Sequence, residues 1–207
     1  MKAVIFCGGR IEDYSYIEQE SLENALVICA DGGYGHTEKL NITPDVIIGD
    51  NDSWNGEYPE EIKSIKCPSE KDYTDTERCI DYAIENGCRE ILIYGGLGGR
   101  LDHEFSNYCL LLYALKKGAK VVLLDKYNEI WMEDKPFTLK KDKKKYVSFF
   151  PYGGEVQDFS VKGLKYEGDN INLNTDSTLT VSNEFLNSSA EISFSSGYVL
   201  VMLCNDI

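Results

Sequence analysis

The sequence contains few of the residues that build zinc sites or disulfide frameworks. Its 207 residues include two histidines and seven cysteines, and no two cysteines have CxxC spacing. Zinc sites usually combine several closely spaced Cys and His residues, so this composition argues against one. The cysteines lie mostly among apolar residues, which favours buried, reduced thiols in a cytosolic protein. No local pattern marks one thiol as an activated nucleophile.

Positive charge and long apolar segments are also scarce. The 21 basic and 35 acidic residues give a formal net charge of −14, which argues against nucleic acid or an anionic membrane as a partner. No apolar run approaches the roughly 20 residues of a membrane-spanning helix, and the apolar start is short for a signal peptide. We therefore expect a cytoplasmic protein. The lysine-rich residues 140–145 are interpreted as a solvated hairpin tip rather than a nucleic-acid patch.

Residues 1 to about 125 alternate short apolar runs with helical patterns, as in α/β domains with a mostly parallel sheet. Several runs are continuously apolar, which is expected where both faces of the sheet are covered. The predicted strands are residues 3–6, 26–30, 45–48, 62–67, 90–94 and 120–124. Ligands of such sheets bind beyond the carboxyl ends of the strands, so the segments that follow these strands are the candidate site.

Glycines and carboxylates gather in those segments. The third strand is followed by Gly49, Asp50, Asn51, Asp52 and Ser53. In an extended chain Asp50 and Asp52 point the same way, and two adjacent carboxylates are costly unless a cation or shared proton relieves their repulsion. Oxygen ligands of this kind favour a hard ion such as Mg²⁺, although Asp, Asn and Ser are also ordinary turn residues.

Two further segments lead into helices. Thr74 and Glu77 fit a capping box, which predicts a helix ending near Asn86 and places Asp75 at its positive end. Glycines in residues 95–99 precede Arg100 and a second predicted helix over residues 102–117, with apolar residues at 105, 108, 109, 112 and 115. A glycine-rich loop at a helix start suits phosphate. The chain has neither the GxxxxGK[ST] nor the GxGxxG fingerprint.

After Asp125 the pattern changes to short β-rich runs with little helical periodicity. The predicted strands are residues 147–150, 155–159, 171–173, 179–181, 190–194 and 198–203. Strands at this spacing indicate a small antiparallel sandwich or barrel. From the residues alone, the best interpretation is a Mg²⁺-dependent enzyme that acts on a nucleotide, because metal ions reconcile an acidic site with polyphosphate.

Several of these motifs occur in an order that resembles thiamine pyrophosphokinases. They are the segments 30–33, 49–53, 71–77 and 99–103, followed by 163–166, 182–184 and 196–197 near the carboxyl end. The resemblance covers nearly the whole chain. It implies a Rossmann-like, mostly parallel α/β nucleotide-binding catalytic domain over residues 1–128. A thiamine-binding antiparallel β-sandwich is implied over residues 129–207.

The resemblance further implies Mg²⁺-dependent transfer of the diphosphoryl group of ATP to thiamine, giving thiamine diphosphate and AMP. It implies a homodimer in which each site uses one domain from each subunit. The metal-site residues it implies are Asp31, Asp50, Asp52, Asp75 and Asp102. The implied nucleotide-binding residues are Gly8, Asp31, Gly32, Gly33, Lys71, Thr74, Gly96, Gly98, Gly99 and Arg100. Tyr166, Ser182 and Asn183 would line the thiamine pocket, with Tyr166 in a position where some relatives have Trp.

Asp52, Asp75, Asp102 and Arg100 are the residues expected to carry the chemistry. For the general base the hypothesis is Asp52 or Asp75, since a hydroxyl nucleophile needs a nearby proton acceptor. His103 is the rival base, although a structural role is favoured for it. Two other functions stay open at this point: a non-catalytic thiamine or nucleotide sensor, and a Mg²⁺-dependent nucleotide hydrolase.

Overall fold

The computed structural model describes residues 1–50, 58–68, 70 and 72–206. The chain divides into two compact units, the first spanning Met1–Lys126 and the second beginning at Tyr127. Each unit is described separately below. No helix in the described part of the chain is both long and apolar enough to cross a membrane.

The first unit is built on a parallel sheet. Its strands are β1 (Lys2–Phe6), β2 (Ala25–Ala30), β3 (Val46–Gly49), β4 (Lys63–Lys66), β5 (Glu90–Tyr94) and β6 (Lys120–Leu124). They lie in the order β6-β5-β1-β2-β3-β4, and every pair is parallel. All six strands coincide with predicted ones to within one residue. Five of them carry a compact apolar run that the sheet buries, whereas β4 is a mostly exposed edge strand.

Helices connect these strands. They are α1 (Gln19–Leu22), α2 (Tyr34–Lys39), α3 (Asp75–Glu85) and α4 (Leu101–Lys116), and a 3-10 turn at Asp31–Gly33 leads into α2. Helix α3 begins as predicted, since the Thr74 side chain accepts a hydrogen bond of 3.1 Å from the Glu77 amide. Cys79, Ile80 and Ala83 form its buried face.

The core of this unit explains why its strands are continuously apolar. Ile5, Phe6, Ile28, Ile47 and Ile91 are fully buried. Neighbouring residues of one strand point to opposite faces of the sheet, so burial of consecutive residues requires cover on both faces.

Helix α4 buries a different face from the one its apolar spacing suggests. Asn107, Leu110, Leu111 and Ala114 are buried, whereas Leu101 and Phe105 are 80% and 63% exposed, and Cys109 is exposed. The helix therefore presents an apolar stripe at its amino-terminal half outside the core of its own unit.

The second unit contains two antiparallel sheets. One consists of β7 (Asn128–Glu133), β9 (Tyr146–Pro151), β12 (Asn183–Glu184) and β14 (Val199–Cys204), in the order β12-β9-β14-β7. The other consists of β8 (Phe137–Lys140), β10 (Val156–Lys162), β11 (Gly168–Leu173) and β13 (Ser189–Ser193), in the order β11-β10-β13-β8. Buried Phe149 and Phe159, one from each sheet, lie 5.4 Å apart between ring centroids.

Two expectations about this unit were wrong, and some strands were not predicted. Residues 179–181 form a turn rather than a strand: the Val181 amide donates to the Thr178 carbonyl, and the Thr180 hydroxyl donates to the Phe149 carbonyl. The lysine-rich residues 140–145 are mostly exposed, but they join β8 and β9, which belong to different sheets, so they are not a hairpin tip. Strands β7, β8 and β12 were missed, since the apolar runs of β7 and β8 are only two or three residues long with charged residues beside them and β12 has none.

Candidate active site

A cleft of about 720 Å³ lies in the first unit where several strands end. Turns after β1, β2 and β5 contribute to it, together with the starts of α3 and α4. It is lined by Cys7, Gly8, Gly9, Arg10, Ala30, Asp31, Gly32, Tyr73, Thr74, Asp75, Thr76, Gly95, Gly96, Leu97, Gly99, Arg100, His103, Glu104, Ser106 and Asn107. The cleft thus occupies the strand ends from which the sequence predicts a ligand site.

The structure brings most of the predicted nucleotide-binding residues to this cleft. The lining includes Gly8, Asp31, Gly32, Thr74, Gly96, Gly99 and Arg100, as well as Asp75 and His103. Of the other predicted residues, Gly33, Asp50, Gly98 and Asp102 are described but do not line it. Asp52 and Lys71 lie outside the described residues, as do Asn51 and Ser53.

Asp31 is the most tightly held carboxylate of the cleft. It is 6% exposed, and its φ of 43° is unusual for a residue with a side chain. The Tyr58 hydroxyl donates to Asp31 Oδ1 at 3.1 Å. Burial, followed by the charge of Asp31, raises the pKa of Tyr58, which keeps this hydroxyl a donor.

Gly49, the residue before Asp50, lies directly against Asp31. A Cβ at Gly49 would lie 2.6 Å from the Asp31 Cβ, so only glycine permits this approach. Asp50, the next residue, is half-buried. The glycine before Asp50 therefore has a steric reason, which is the close contact of its own backbone with Asp31.

The metal hypothesis rests on the chemistry of these donors. Among the described residues, no three acidic, His or Cys side chains already form a metal-binding group. Asp31 and Asp75 nevertheless line one cleft with glycine turns and Arg100. Mg²⁺ commonly takes one or two carboxylates and completes its shell with water and phosphate oxygens. The residues present fit a magnesium ion bound together with phosphate.

Arg100 and Asp102 form an exposed ion pair at the start of α4. Arg100 Nε and one terminal nitrogen donate to the two Asp102 oxygens at 3.1 and 2.6 Å. The guanidinium hydrogen bond lowers the pKa of Asp102, and Asp102 raises the pKa of Arg100. Arg100 remains a fixed positive charge on the cleft, with its orientation set by Asp102.

Sequence reasoning missed two side chains of α4 that hold the glycine loop. Asn107 is buried, and its amide nitrogen donates to the Gly96 carbonyl at 2.7 Å. Glu104 accepts from the Gly98 amide at 3.1 Å and from the Tyr108 hydroxyl at 2.8 Å. The sequence feature that could have revealed Asn107 is its position on a helix face otherwise occupied by Leu and Ala.

Cys7 lines the cleft but is not suited to nucleophilic chemistry. Burial raises the pKa of its thiol to about 11, although a hydrogen bond with Thr76 acts in the opposite direction. The group is therefore a neutral thiol at physiological pH, and thiolates are the reactive form.

In the second unit, the structure brings Tyr166 and Asn183 together. Asn183 is buried: its Oδ1 accepts from the Tyr166 amide at 2.9 Å, and its Nδ2 donates to the Tyr166 carbonyl at 2.7 Å. The Tyr166 ring is 63% exposed. Ser182 has a φ of 60°, and its amide donates to Ser148 Oγ. Asn183 thus holds the backbone that presents the Tyr166 ring to solvent.

Both units match known protein families. The model of the thiamin pyrophosphokinase catalytic domain matches residues 17–123, and that of the thiamin pyrophosphokinase vitamin B1 binding domain matches residues 136–199. The chain is 32% identical to the thiamine pyrophosphokinase of Bacillus subtilis (strain 168) over 191 residues, which is 89% of each protein.

Comparison with solved structures leads to the same family. The crystal structure of the Bacillus subtilis thiamine pyrophosphokinase has a TM-score of 0.90 at 30% identity, covering 100% of both chains. That of the thiamin pyrophosphokinase from Geobacillus thermodenitrificans has a TM-score of 0.85 at 29% identity, covering 100% of this chain and 98% of the other. They share a mixed α/β architecture with a large sheet and a separate antiparallel sheet. The chain belongs to the thiamine pyrophosphokinase family.

Proposed function

We propose that this enzyme transfers the intact diphosphoryl group of ATP to the hydroxyl of thiamine in a Mg²⁺-dependent reaction, releasing AMP. The observation that carries the proposal is the cleft of the first unit. It combines glycine turns, two arginines (Arg10 and Arg100) and two aspartates (Asp31 after β2 and Asp75 at the start of α3), a set of groups suited to a polyphosphate with its metal ion.

In this proposal the aspartates hold magnesium and the glycine turns hold phosphate. Asp31 and Asp75, which line the cleft, would ligate the ion, and the sequence resemblance adds Asp50, Asp52 and Asp102 as further candidate ligands. When bound, Mg²⁺ supplies positive charge that neutralises the phosphate oxygens. Backbone N–H groups of the loop over residues 95–99 and the guanidinium of Arg100 would bind the same oxygens.

The transfer itself needs a proton acceptor for thiamine. The hydroxyl oxygen attacks the β-phosphorus, and the bond from this phosphorus to the oxygen bridging the α- and β-phosphates breaks, so that AMP leaves with that oxygen. The hydroxyl proton would pass to a carboxylate, for which we propose Asp75 or Asp52. Asp75 lines the cleft at the start of α3, where a carboxylate can reach a bound alcohol.

We assign thiamine recognition to the second unit. Tyr166 offers an exposed aromatic face at a backbone held by Asn183, and such a face suits a flat, cationic ligand. Ser182 would be a further contact.

Two exposed apolar surfaces support a homodimer with shared sites. Leu101 and Phe105, one turn apart on α4, form one, and the second unit also exposes large apolar side chains at Tyr166, Leu179 and Leu186. Large exposed apolar side chains commonly mark interaction sites. We also propose a reducing, cytoplasmic compartment, which is consistent with seven free cysteines.

The experiment is to incubate the protein with Mg-ATP, with and without thiamine, and to quantify AMP, ADP and thiamine diphosphate. AMP and thiamine diphosphate formed in equal amounts, and only with thiamine, would support diphosphoryl transfer. ADP would indicate transfer of a single phosphate. Nucleotide cleavage without thiamine would indicate a hydrolase, and thiamine binding without any product would indicate a sensor.

A further inference from the structure

His36 makes two side-chain hydrogen bonds that the catalytic proposal does not use. It lies in α2 and is 7% exposed. Its Nε2 is 2.8 Å from the Gly9 carbonyl oxygen, and its Nδ1 is 2.7 Å from the Tyr14 hydroxyl. A carbonyl can only accept, so Nε2 carries the proton. In the neutral ring Nδ1 must then accept from Tyr14.

The surroundings keep this ring neutral and fixed. Burial lowers the pKa of His36 and outweighs the hydrogen bond to the Gly9 carbonyl, which acts in the opposite direction; nearby Lys39 also lowers it. The Tyr14 ring packs on the imidazole at 5.8 Å between centroids. Histidine and tyrosine thus form a small rigid unit behind the turn that follows β1.

Gly9 is locked on its other side as well. Its amide donates to the Gly95 carbonyl at 3.0 Å, and a Cβ at Gly9 would lie 2.2 Å from that oxygen. The glycine turns after β1 and β5 are therefore in direct contact, and both line the cleft.

The orientation of one peptide unit follows from these contacts. His36 is not among the residues that line the cleft. Its hydrogen bond therefore directs the Gly9 carbonyl away from the cleft. In a trans peptide the carbonyl of one residue and the N–H of the following residue point in opposite directions. The described residues contain no cis peptide bond. The Arg10 amide is consequently turned away from His36. A carbonyl oxygen facing polyphosphate would repel it, whereas an N–H attracts it.

We propose that His36, oriented by Tyr14, is a positioning residue that keeps the Gly9 carbonyl turned away from the polyphosphate and the Arg10 amide turned towards it. The inference rests on the proposed binding of a nucleotide at this cleft. His36 itself touches neither substrate.

The test compares four variants by the Kd of a Mg²⁺-bound ATP analogue with a methylene bridge between its α- and β-phosphorus atoms. His36→Leu removes both hydrogen bonds and should raise this Kd roughly tenfold. His36→Gln retains a donor for the Gly9 carbonyl and should restore the Kd to within about threefold of the wild-type value. Tyr14→Phe leaves the donor but frees the ring to reorient, so we expect a rise of about threefold.

Thr37→Val is the matched control. Thr37 is a buried neighbour in α2 whose hydroxyl donates to the Tyr34 carbonyl at 2.8 Å. Its replacement should lower the melting temperature without changing the Kd. The KM for thiamine should change less than twofold in all four variants, about the precision of such a comparison.

The inference is overturned if His36→Leu binds the analogue like the wild type, or if Thr37→Val weakens binding equally. If His36→Leu does not fold, the Kd of Tyr14→Phe is compared with that of Thr37→Val. Equal Kd values for these two variants would overturn the inference. A wild type that binds the analogue but makes no thiamine diphosphate would refute the proposed function and leave this comparison intact.

Discussion

Asp31 shows how individual residues prepare the cleft. It has a left-handed backbone conformation, is buried, and lies against Gly49 where no other residue would fit. Such conformations cost about 1–3 kcal/mol and persist where the surrounding structure over-determines them. The carboxylate is therefore held in place before any ligand arrives, which suits a proposed metal ligand.

We predict that Tyr58→Phe weakens this arrangement. Losing the hydroxyl that donates to Asp31 at 3.1 Å should lower the free energy of unfolding by about 1 kcal/mol. It should also raise the Mg²⁺ concentration needed for half-maximal turnover severalfold, because Asp31 would be less well oriented. A Mg²⁺ titration of initial rates measures the second effect.

Tyr82→Phe is the control for that prediction. The Tyr82 hydroxyl accepts from Lys63 Nζ at 3.0 Å at an exposed site on α3, so its loss should leave the Mg²⁺ dependence unchanged. Equal Mg²⁺ dependence in Tyr58→Phe and the wild type would show that Tyr58 does not orient Asp31.

The sequence could predict the residues that line the cleft better than the residues that hold them. Gly8, Asp31, Thr74 and Arg100 follow strand ends or precede helices, so local patterns reveal them. Tyr58 and Asn107 act through contacts with residues 27 and 11 positions away. Sequence-distant pairing of this kind has no local signature.

At the scale of elements, helix α3 begins where its capping residues indicate. We predict that Thr74→Ala lowers the free energy of unfolding by about 1 kcal/mol, because the Glu77 amide would lose its acceptor. Urea unfolding followed by circular dichroism measures this change. Thr74→Ser keeps the hydroxyl and should retain most of the stability. If Thr74→Ala were as stable as Thr74→Ser, the cap would contribute nothing.

Most strands of the first unit were predictable because burial on both faces leaves continuous apolar runs, and α3 was predictable from its capping residues. Helices α1 and α2 were not predicted. Helix α4 was predictable in position but not in orientation. Its sequence has apolar residues on two faces, and only tertiary packing selects Leu110 and Leu111 for the core while Leu101 and Phe105 stay exposed. The strand predicted over residues 179–181 was wrong for a related reason. Their β-like alternation found no partner strand, so Leu179 is exposed in a turn.

At the scale of the whole molecule, the formal net charge of −14 has to be reconciled with an anionic substrate. The long-range field of such a chain opposes the approach of free ATP. The complex of ATP with Mg²⁺ carries less negative charge, and Arg100 adds a local positive charge at the cleft. The acidic composition and the proposed metal dependence are therefore consistent with each other.

The final prediction concerns the proposed sharing of sites between subunits. Asp75→Asn disables the first unit and Tyr166→Ala the second, and the exposure of Tyr166 makes its replacement compatible with folding. Each variant alone should be nearly inactive. Co-expressed in equal amounts, they should recover about a quarter of wild-type activity, since half of random dimers are mixed and one of their two sites is intact. Thiamine diphosphate formation by the purified mixture measures this, with the unmixed variants as controls. Activity no higher than theirs would place each site within one chain.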